Sequence, residues 1–170
     1  MKNKLNFFLL LLLIFFTAIN KVYSNDIKFE AKEIIIKEDG NIIEAKNETK
    51  IETDDGVEIR SDEFLYDKIK STAYVKGNVV IFDLKNNTFI TGDNFTYFKN
   101  EERIISKNIV NIDIDKEYFI ETENIEYFII DKTILSNNKT IMKDADGNSF
   151  VVNKFKFLLS DKLFNGEKLK

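Results

Sequence analysis

The chain has 170 residues, of which 44% are hydrophobic and 32% charged, with 25 basic and 29 acidic side chains and a formal net charge of -4. It contains no cysteine, which excludes disulfides, thiolate metal sites and a lipid-attached N-terminal cysteine. Histidine is also missing, which removes the usual catalytic triads, the commonest metal ligand and the usual general base near neutral pH. We therefore expect no enzyme, no catalytic residues, no metal site and no cofactor.

The N-terminus has the pattern of a secretory leader. Lys2 and Lys4 precede an apolar run at residues 5–19, and Val22 and Ser24 stand at positions suited to signal cleavage. This pattern predicts a signal peptide over residues 1–24, with cleavage after Ser24. The apolar run is shorter than the roughly 20 residues of a membrane span, although an uncleaved N-terminal anchor is the alternative. The remaining domain, residues 25–170, is therefore expected to be exported.

The composition of residues 25–170 differs from that of the leader. The leader holds three of the 25 basic residues and none of the 29 acidic ones, so residues 25–170 have 22 basic and 29 acidic side chains, a net charge of -7. A negative domain disfavours nucleic acid as a partner. The 146 residues can form one domain with a continuous core. Abundant Ile and Phe, with no proline, favour strands over helices.

A unit of about thirty residues recurs along this domain. In one unit, residues 57–66 alternate as a strand, residues 67–71 form a turn, and residues 73–81 alternate as a returning strand. Neighbouring units align with it at offsets of 30 or 31 residues, and the aligned columns of apolar residues are expected to face inward. The columns of the outgoing strand are Phe29, Ile59, Ile90, Ile120 and Phe150; Ile34, Phe64, Phe95, Ile125 and Phe155; and Ile36, Tyr66, Tyr97, Tyr127 and Phe157. Those of the returning strand are Ile43, Ala73, Ile104, Ile134 and Phe164, and Ile51, Ile81, Ile112 and Met142.

Each outgoing strand changes phase at one recurring place. Inward positions are two residues apart up to Ser61, but Phe64 follows three residues later, which predicts a bulge or corner at Asp62. The same step recurs at Lys32, Asp93 and Glu123. Because isolated hairpins are marginal in water, about five bent two-strand units are expected to stack into a folded-over, all-β domain. Charged side chains should point outward, among them Glu58, Arg60, Lys76, Lys99 and Glu121.

The apolar interior is the candidate functional site, and two interpretations of it remain open. One is a closed core that only holds the stack together. The other is a groove between the two arms of each bent unit that takes an acyl chain. Two opposed columns of small residues favour the groove, namely Ala31, Ser61, Gly92, Thr122 and Val152 facing Ala45, Val75, Ser106, Ser136 and Gly166. The residues expected to line it are Ile59, Phe64, Tyr66, Ala73, Val75, Ile90, Phe95, Tyr97, Ile104, Ile120, Ile125, Tyr127 and Ile134.

Short motifs in this repeat carry a resemblance to a known family. They are the run from Ser61 to Asp67 (SDEFLYD), the run from Ala73 to Val79 (AYVKGNV), and Thr91-Gly92-Asp93. This pattern resembles the OstA-like domain of the lipopolysaccharide transport (Lpt) family. The resemblance covers most of residues 25–170.

The resemblance implies a folded-over β-jelly roll in the periplasm of a Gram-negative bacterium, whose interior shields lipid A acyl chains on the way to the outer membrane. The implied partners are lipopolysaccharide and other jelly rolls of the family, which would join edge to edge by strand addition. Three members share this domain: the soluble bridge protein, the membrane-anchored inner component and the N-terminal part of the outer-membrane assembly protein. Length favours the bridge protein. The last unit stops within its returning strand, at 164–170, which favours a longer chain and hence the assembly protein. The rival hypothesis is a structural or adhesive exported β-repeat module with a closed core.

Overall fold

The computed structural model of the protein describes residues 27–168, and the predicted leader at residues 1–24 lies outside them. The described residues form one antiparallel sheet of 14 strands, with short 3-10 turns at Glu38–Gly40 and Lys99–Glu101. The prediction of an all-β fold is confirmed. The strands are β1 (Lys28–Glu30), β2 (Glu33–Lys37), β3 (Ile42–Glu52), β4 (Val57–Asp67), β5 (Thr72–Asp83), β6 (Thr88–Phe98), β7 (Arg103–Ser106), β8 (Ile109–Ile114), β9 (Tyr118–Glu123), β10 (Ile125–Phe128), β11 (Thr133–Ser136), β12 (Thr140–Asp144), β13 (Ser149–Leu158) and β14 (Leu163–Lys168).

The sheet is folded along its length into two arms. Each long strand contributes one half to each arm, so β6 pairs with β8 through residues 88–91 and with β7 through residues 95–98. Arm I consists of β1, half of β3, β4, β5 and β6, then β8, β9, β12 and the first half of β13. Arm II consists of β2, the other halves of those strands, and β7, β10, β11 and β14. The inward faces of the two arms enclose the core.

The arms meet at a corner, and it lies where the phase change predicts. The β4–β5 ladder breaks between Arg60 and Glu63, on either side of Asp62, and the β5–β6 ladder breaks between Lys76 and Val79. At Gly77 the backbone φ is +79°, a left-handed conformation that glycine adopts without steric cost. The neighbouring Asn78 side chain donates a hydrogen bond to Asp62 Oδ2, 2.8 Å away. The corner is therefore built from residues suited to a tight bend.

The opposite edge of the fold, which we call the tip edge, is formed by the turns that end each arm. On arm I these turns are residues 53–56, 84–87, 115–117 and 145–148, and on arm II they are residues 38–41, 68–71, 99–102, 129–132 and 159–162. Aspartate side chains accept hydrogen bonds from backbone N–H groups within several of them: Asp67 from Lys70 at 3.0 Å, and Asp83 from Asn86 at 3.1 Å. The acidic turns of the repeat thus have a local structural role.

Most of the predicted inward columns are buried between the arms. Aromatic rings from opposite arms meet across the core, with Phe29 and Phe64 centroids 5.3 Å apart and Tyr118 and Phe157 centroids 5.4 Å apart. Each fully buried large side chain contributes about 1.5–3 kcal/mol to folding. This core therefore supplies the driving force for stacking the units.

Three of the inward residues are exposed, contrary to expectation. Ile34 is 47% exposed, Ile36 is 65% exposed and Phe150 is 46% exposed. They lie on the inward face, because their partners directly across the ladder, Ala45, Ile43 and Met142, are buried there. β2 forms one end of arm II and the first half of β13 forms the other end of arm I, so no further described strand covers these three residues.

Candidate functional site: an apolar interior with uncovered ends

All thirteen residues expected to line the interior lie on the inward faces and are no more than 3% exposed. Arm I supplies Ile59, Ile90 and Ile120, and arm II supplies the other ten. Antiparallel pairing places Ile104 beside both Tyr97 and Tyr127, so units distant in sequence share one continuous apolar layer. The structure therefore brings these residues together, while their contact with lipid stays a prediction.

The small columns do not leave an open space along the corner. A Cβ atom at Gly92 would lie 3.1 Å from the Phe95 ring and 3.2 Å from the carbonyl oxygen of Ile109. Elsewhere the column is occupied by hydroxyl groups bonded to each other, with Thr49 and Ser61 oxygens 2.5 Å apart and Thr122 and Thr140 oxygens 2.7 Å apart. At Gly92, therefore, a neighbouring ring fills the space that the small residue leaves. The middle of the interior is closed in this structure.

The ends of the interior are different from its middle. At the N-terminal end, Ile34 and Ile36 extend the inward face of arm II beyond its covered part. At the C-terminal end, Phe150 does the same for arm I. The Phe155 and Phe164 rings stack nearby with centroids 5.7 Å apart, and Phe164 is only partly buried. Within residues 27–168, the apolar layer is therefore left uncovered at both ends of the stack.

Polar side chains join the two arms along the tip edge. Lys99 Nζ on arm II lies 2.8 Å from Asp54 Oδ2 on arm I. Tyr127 on arm II donates a hydrogen bond from its hydroxyl to Asp83 Oδ2 on arm I. Lys162 on arm II pairs with Asp115 and, at 3.2 Å, with Glu117 Oε2 on arm I. We call these three sets of contacts the tip seam.

Sequence reasoning missed the tip seam, and it placed one of its members wrongly. Lys99 was expected to point outward but is only 6% exposed, because it lies at a turn where the opposite arm folds over it. A signal was present in the repeat, since Asp54, Asp83 and Asp115 recur near arm I turns at spacings close to the thirty-residue period. Their cross-arm partners, however, are set by the folding of the sheet. The pairing could not be read from the period alone.

A buried carboxyl group lies beside the first pair of the seam. Glu102 Oε1 accepts a hydrogen bond from the Tyr97 hydroxyl at 2.8 Å, whereas the buried Oε2 atom has no hydrogen-bond partner. Burial raises the pKa of the Glu102 carboxyl above its usual range, and the nearby Asp54 carboxylate adds to the rise. Burial also raises the pKa of the Tyr97 hydroxyl, which stays protonated and keeps its role as donor.

We expect the substitution Glu102→Gln to stabilise the protein near pH 7 and to have less effect near pH 4. The pKa of Glu102 is higher in the folded protein than in the unfolded chain. As pH rises from the unfolded pKa through the folded pKa, the buried carboxyl group therefore lowers the free energy of unfolding. Glutamine keeps the oxygen acceptor for Tyr97 and removes the charge. Thermal melting of both proteins at the two pH values measures the difference.

The control for this experiment is Glu101→Gln on the same turn, where the side chain is exposed and its carboxylate pairs with Arg103 at 2.7 Å. An exposed pair of this kind contributes about 0–1 kcal/mol, so its loss should not stabilise the protein. Equal stabilisation by Glu102→Gln at both pH values would contradict the assignment of a raised pKa to this carboxyl.

The outer face of arm I carries a separate apolar depression of about 510 Å³. Its lining includes the apolar residues Phe89, Phe119 and Ile141 and the charged residues Asp113 and Lys143. These positions alternate with the inward columns, so the depression is on the opposite face of the sheet from the core. It therefore does not belong to the interior.

Within residues 27–168, no cluster of three or more acidic side chains is arranged to hold a metal ion. In the same range, no helix is long and apolar enough to cross a lipid bilayer.

Fold and site together define the class of protein: an all-β, folded-over antiparallel sheet with a continuous apolar interior between two arms. No family model matches the sequence, and no curated protein matches it. Among solved structures, the chain is similar to LptH, the LptA-homologous periplasmic component of the lipopolysaccharide transport device from Pseudomonas aeruginosa. The two share 10% sequence identity with a TM-score of 0.32, over 85% of this chain and 83% of LptH.

Proposed function

We propose that the protein is a non-enzymatic lipopolysaccharide transport or assembly domain of the periplasm, which shields lipid A acyl chains between its two arms. The observation that carries the proposal is the apolar layer that runs the length of the stack and, within residues 27–168, is left uncovered at both ends. The sequence motifs around Asp62 and Gly77 support it through their resemblance to the OstA-like domain. The predicted leader supports export.

An acyl chain is a suitable ligand for this interior on energetic grounds. Its transfer from water into an apolar site is favourable by about 0.8 kcal/mol per buried methylene group. The interior supplies aliphatic and aromatic side chains from both arms, including Ile59, Phe95 and Ile125. An acyl chain that parts the two arms would contact the side chains of both arms, in place of the contacts that these side chains make with each other. The free-energy cost of opening is therefore limited. The thirteen predicted lining residues are the proposed contact surface.

The ends of the stack support the proposed partners, which are other jelly rolls of the same kind. Within residues 27–168, β2 pairs only with β3, so one edge of β2 has no strand beside it. Its sequence from Glu33 to Lys37 contains three consecutive isoleucines, all exposed. Exposed apolar edge strands are sites of strand addition. A neighbouring jelly roll at this edge would cover Ile34 and Ile36 and extend the apolar layer into a longer path.

A structural module with a closed core is the second candidate, and a specific observation favours it. Every predicted lining residue is buried, and the Phe95 ring fills the space beside Gly92. Interiors packed in this way are ordinary protein cores. The two candidates differ in whether the arms ever admit a lipid.

Photo-crosslinking separates the two candidates. A photoreactive phenylalanine analogue at Phe95, which is inward and buried, should form an adduct with purified lipopolysaccharide on irradiation. The matched control is the same analogue at Tyr74, an exposed position on the neighbouring strand that faces outward, since Val75 and not Tyr74 is paired with Phe95. Adducts are detected by mobility shift and mass spectrometry.

The result expected of a transport domain is labelling at Phe95 with little or none at Tyr74. Labelling at neither position would favour the closed structural module. Equal labelling at both would indicate non-specific adsorption of lipid and would also contradict the proposal.

A further inference from the structure

The tip edge and the corner join the two arms in physically different ways. At the corner, the backbones of β3, β4, β5 and β6 run continuously from one arm to the other. At the tip edge, the backbone hydrogen bonds between turns run along a single arm, as from Lys99 N to Ser71 O at 3.0 Å and from Ile129 N to Glu102 O at 2.9 Å. The contacts of the tip seam, in contrast, are made by side chains.

This difference makes the tip seam the weaker boundary of the interior. A backbone ladder opens only when many cooperative hydrogen bonds break, whereas a side-chain pair can break by rotation of one residue. Asp54 is largely exposed and its partner Lys99 is buried, so water is close to one member of the pair. In the Lys162 contacts, Lys162 and Glu117 are exposed and Asp115 is partly buried, so water is also close to these pairs. The two arms, which are joined at the corner, can therefore separate at the tip edge without breaking the backbone hydrogen bonds within either arm.

The tip seam lies directly over the apolar layer. Tyr127, whose hydroxyl bonds to Asp83, is paired with Ile104, and Ile104 is paired with Tyr97. Tyr97 in turn bonds to Glu102, the residue at the end of the turn that carries Lys99. Loss of the polar contacts would therefore expose Ile104 and the rings of Tyr97 and Tyr127 to solvent or to a ligand at the tip edge.

We infer that the tip seam is a side gate to the interior: acyl chains enter by parting the arms at Asp54–Lys99, Asp83–Tyr127 and Asp115–Lys162, and not by threading from an end of the stack. The inference rests on the proposed function for the identity of the ligand. The opening of the seam itself does not depend on it. One repeat unit contributes about one such contact, so the gate can open over part of its length.

The first test measures opening without any ligand. The chain has no cysteine, so Ile104→Cys introduces a single buried thiol whose labelling by a maleimide reports exposure of the interior. Adding Lys99→Met and Lys162→Met, which removes two of the three sets of seam contacts, should accelerate labelling at least tenfold. The matched control adds Lys37→Met and Lys50→Met. Each removes an ion pair that does not cross between the arms: Lys37–Glu44 at 2.6 Å in arm II and Lys50–Glu58 at 3.1 Å in arm I.

Labelling through the seam must be distinguished from labelling through global unfolding. Rates measured in increasing urea make this distinction, because parting the tips exposes much less surface than unfolding and so depends weakly on urea. Tyr127→Phe, which removes one hydroxyl without changing the ring, is a second variant and should also accelerate labelling. Equal rates in seam and control variants, or a urea dependence as steep as that of unfolding in all of them, would overturn the gate.

The second test asks whether lipid uses the gate. Asp54→Cys with Lys99→Cys, joined by a short bismaleimide, ties the two arms together, and should abolish uptake of a dansyl-labelled fatty acid. The matched tether, Lys37→Cys with Glu44→Cys, joins two strands of arm II and should leave uptake unchanged. Uptake in the cross-arm tether equal to that in the control would overturn side access. Faster thiol labelling of seam variants with no uptake by any protein would leave the opening of the seam standing and would contradict the proposed function.

Discussion

Replacing Ile90 by aspartate is expected to unfold the protein. Ile90 lies at the centre of the arm I face of the core and has no exposed surface. It is paired with Ile81 on one side and Ile112 on the other, so an aspartate there would be surrounded by aliphatic side chains with no cation nearby. Burial of an unpaired charge costs more than about 4 kcal/mol, a large part of the roughly 5–15 kcal/mol by which domains are stable.

The neighbouring residue provides the control for this experiment. Thr91 follows Ile90 on the same strand and faces outward, opposite Val80 and Asn111. Thr91→Asp should lower the free energy of unfolding by no more than about 1 kcal/mol, the span of strand propensities. Circular dichroism and thermal melting measure both variants. An unchanged melting transition in Ile90→Asp would mean that the inward columns are assigned to the wrong face.

Replacing Phe157 by alanine is expected to cost about 3–5 kcal/mol. Phe157 is fully buried, with its ring centroid 5.4 Å from that of Tyr118 on the opposite arm and 6.4 Å from that of Phe164. Truncation removes the cross-arm contact with Tyr118 and the contact with Phe164 within arm II, and it leaves a cavity. In a domain of this size the loss corresponds to a fall of about 10 °C in the melting temperature.

The matched substitution is Phe150→Ala on the same strand. Both phenylalanines belong to columns that the repeat predicts to face inward, but Phe150 is 46% exposed. Its truncation should cost less than about 1.5 kcal/mol, because half of the side chain is already in water. Urea unfolding of both variants gives the two free energies. Similar losses for both would mean that the C-terminal end of the interior is covered in solution.

The alternation of the repeat was sufficient to predict the corner and most of the core. The phase step at Asp62 became a break in the β4–β5 ladder, and Ile59 and Phe64 on either side of it are buried. Such predictions succeed because the direction of a side chain along a strand is a local property with a period of two. The ligand, lipopolysaccharide, and the compartment, the periplasm, were inferred from the resemblance to the OstA-like domain, and both remain proposals.

The candidate site was predicted only in part. The burial of the thirteen residues expected to line the interior follows from the inward columns, while their contact with lipid stays a prediction. The tip seam was not predicted, because the partner of Asp54 is 45 residues away and the partner of Asp83 is 44 residues away. Contacts of that range depend on how the sheet folds over, and no local pattern contains this information.

By itself, the sequence determined an all-β stack of bent two-strand units, the face that each strand buries, and the place where each unit bends. These properties follow from side-chain alternation and from residues such as Gly77 and Asn78 that tolerate a tight corner. Only the tertiary structure decided that the small column beside Gly92 is filled by a ring, that Lys99 is buried in a cross-arm pair, and that Ile34, Ile36 and Phe150 are left uncovered. The physical reason is the same in each case: exposure and pairing depend on which rows lie next to a residue in space, and the first and last rows have a neighbour on one side only.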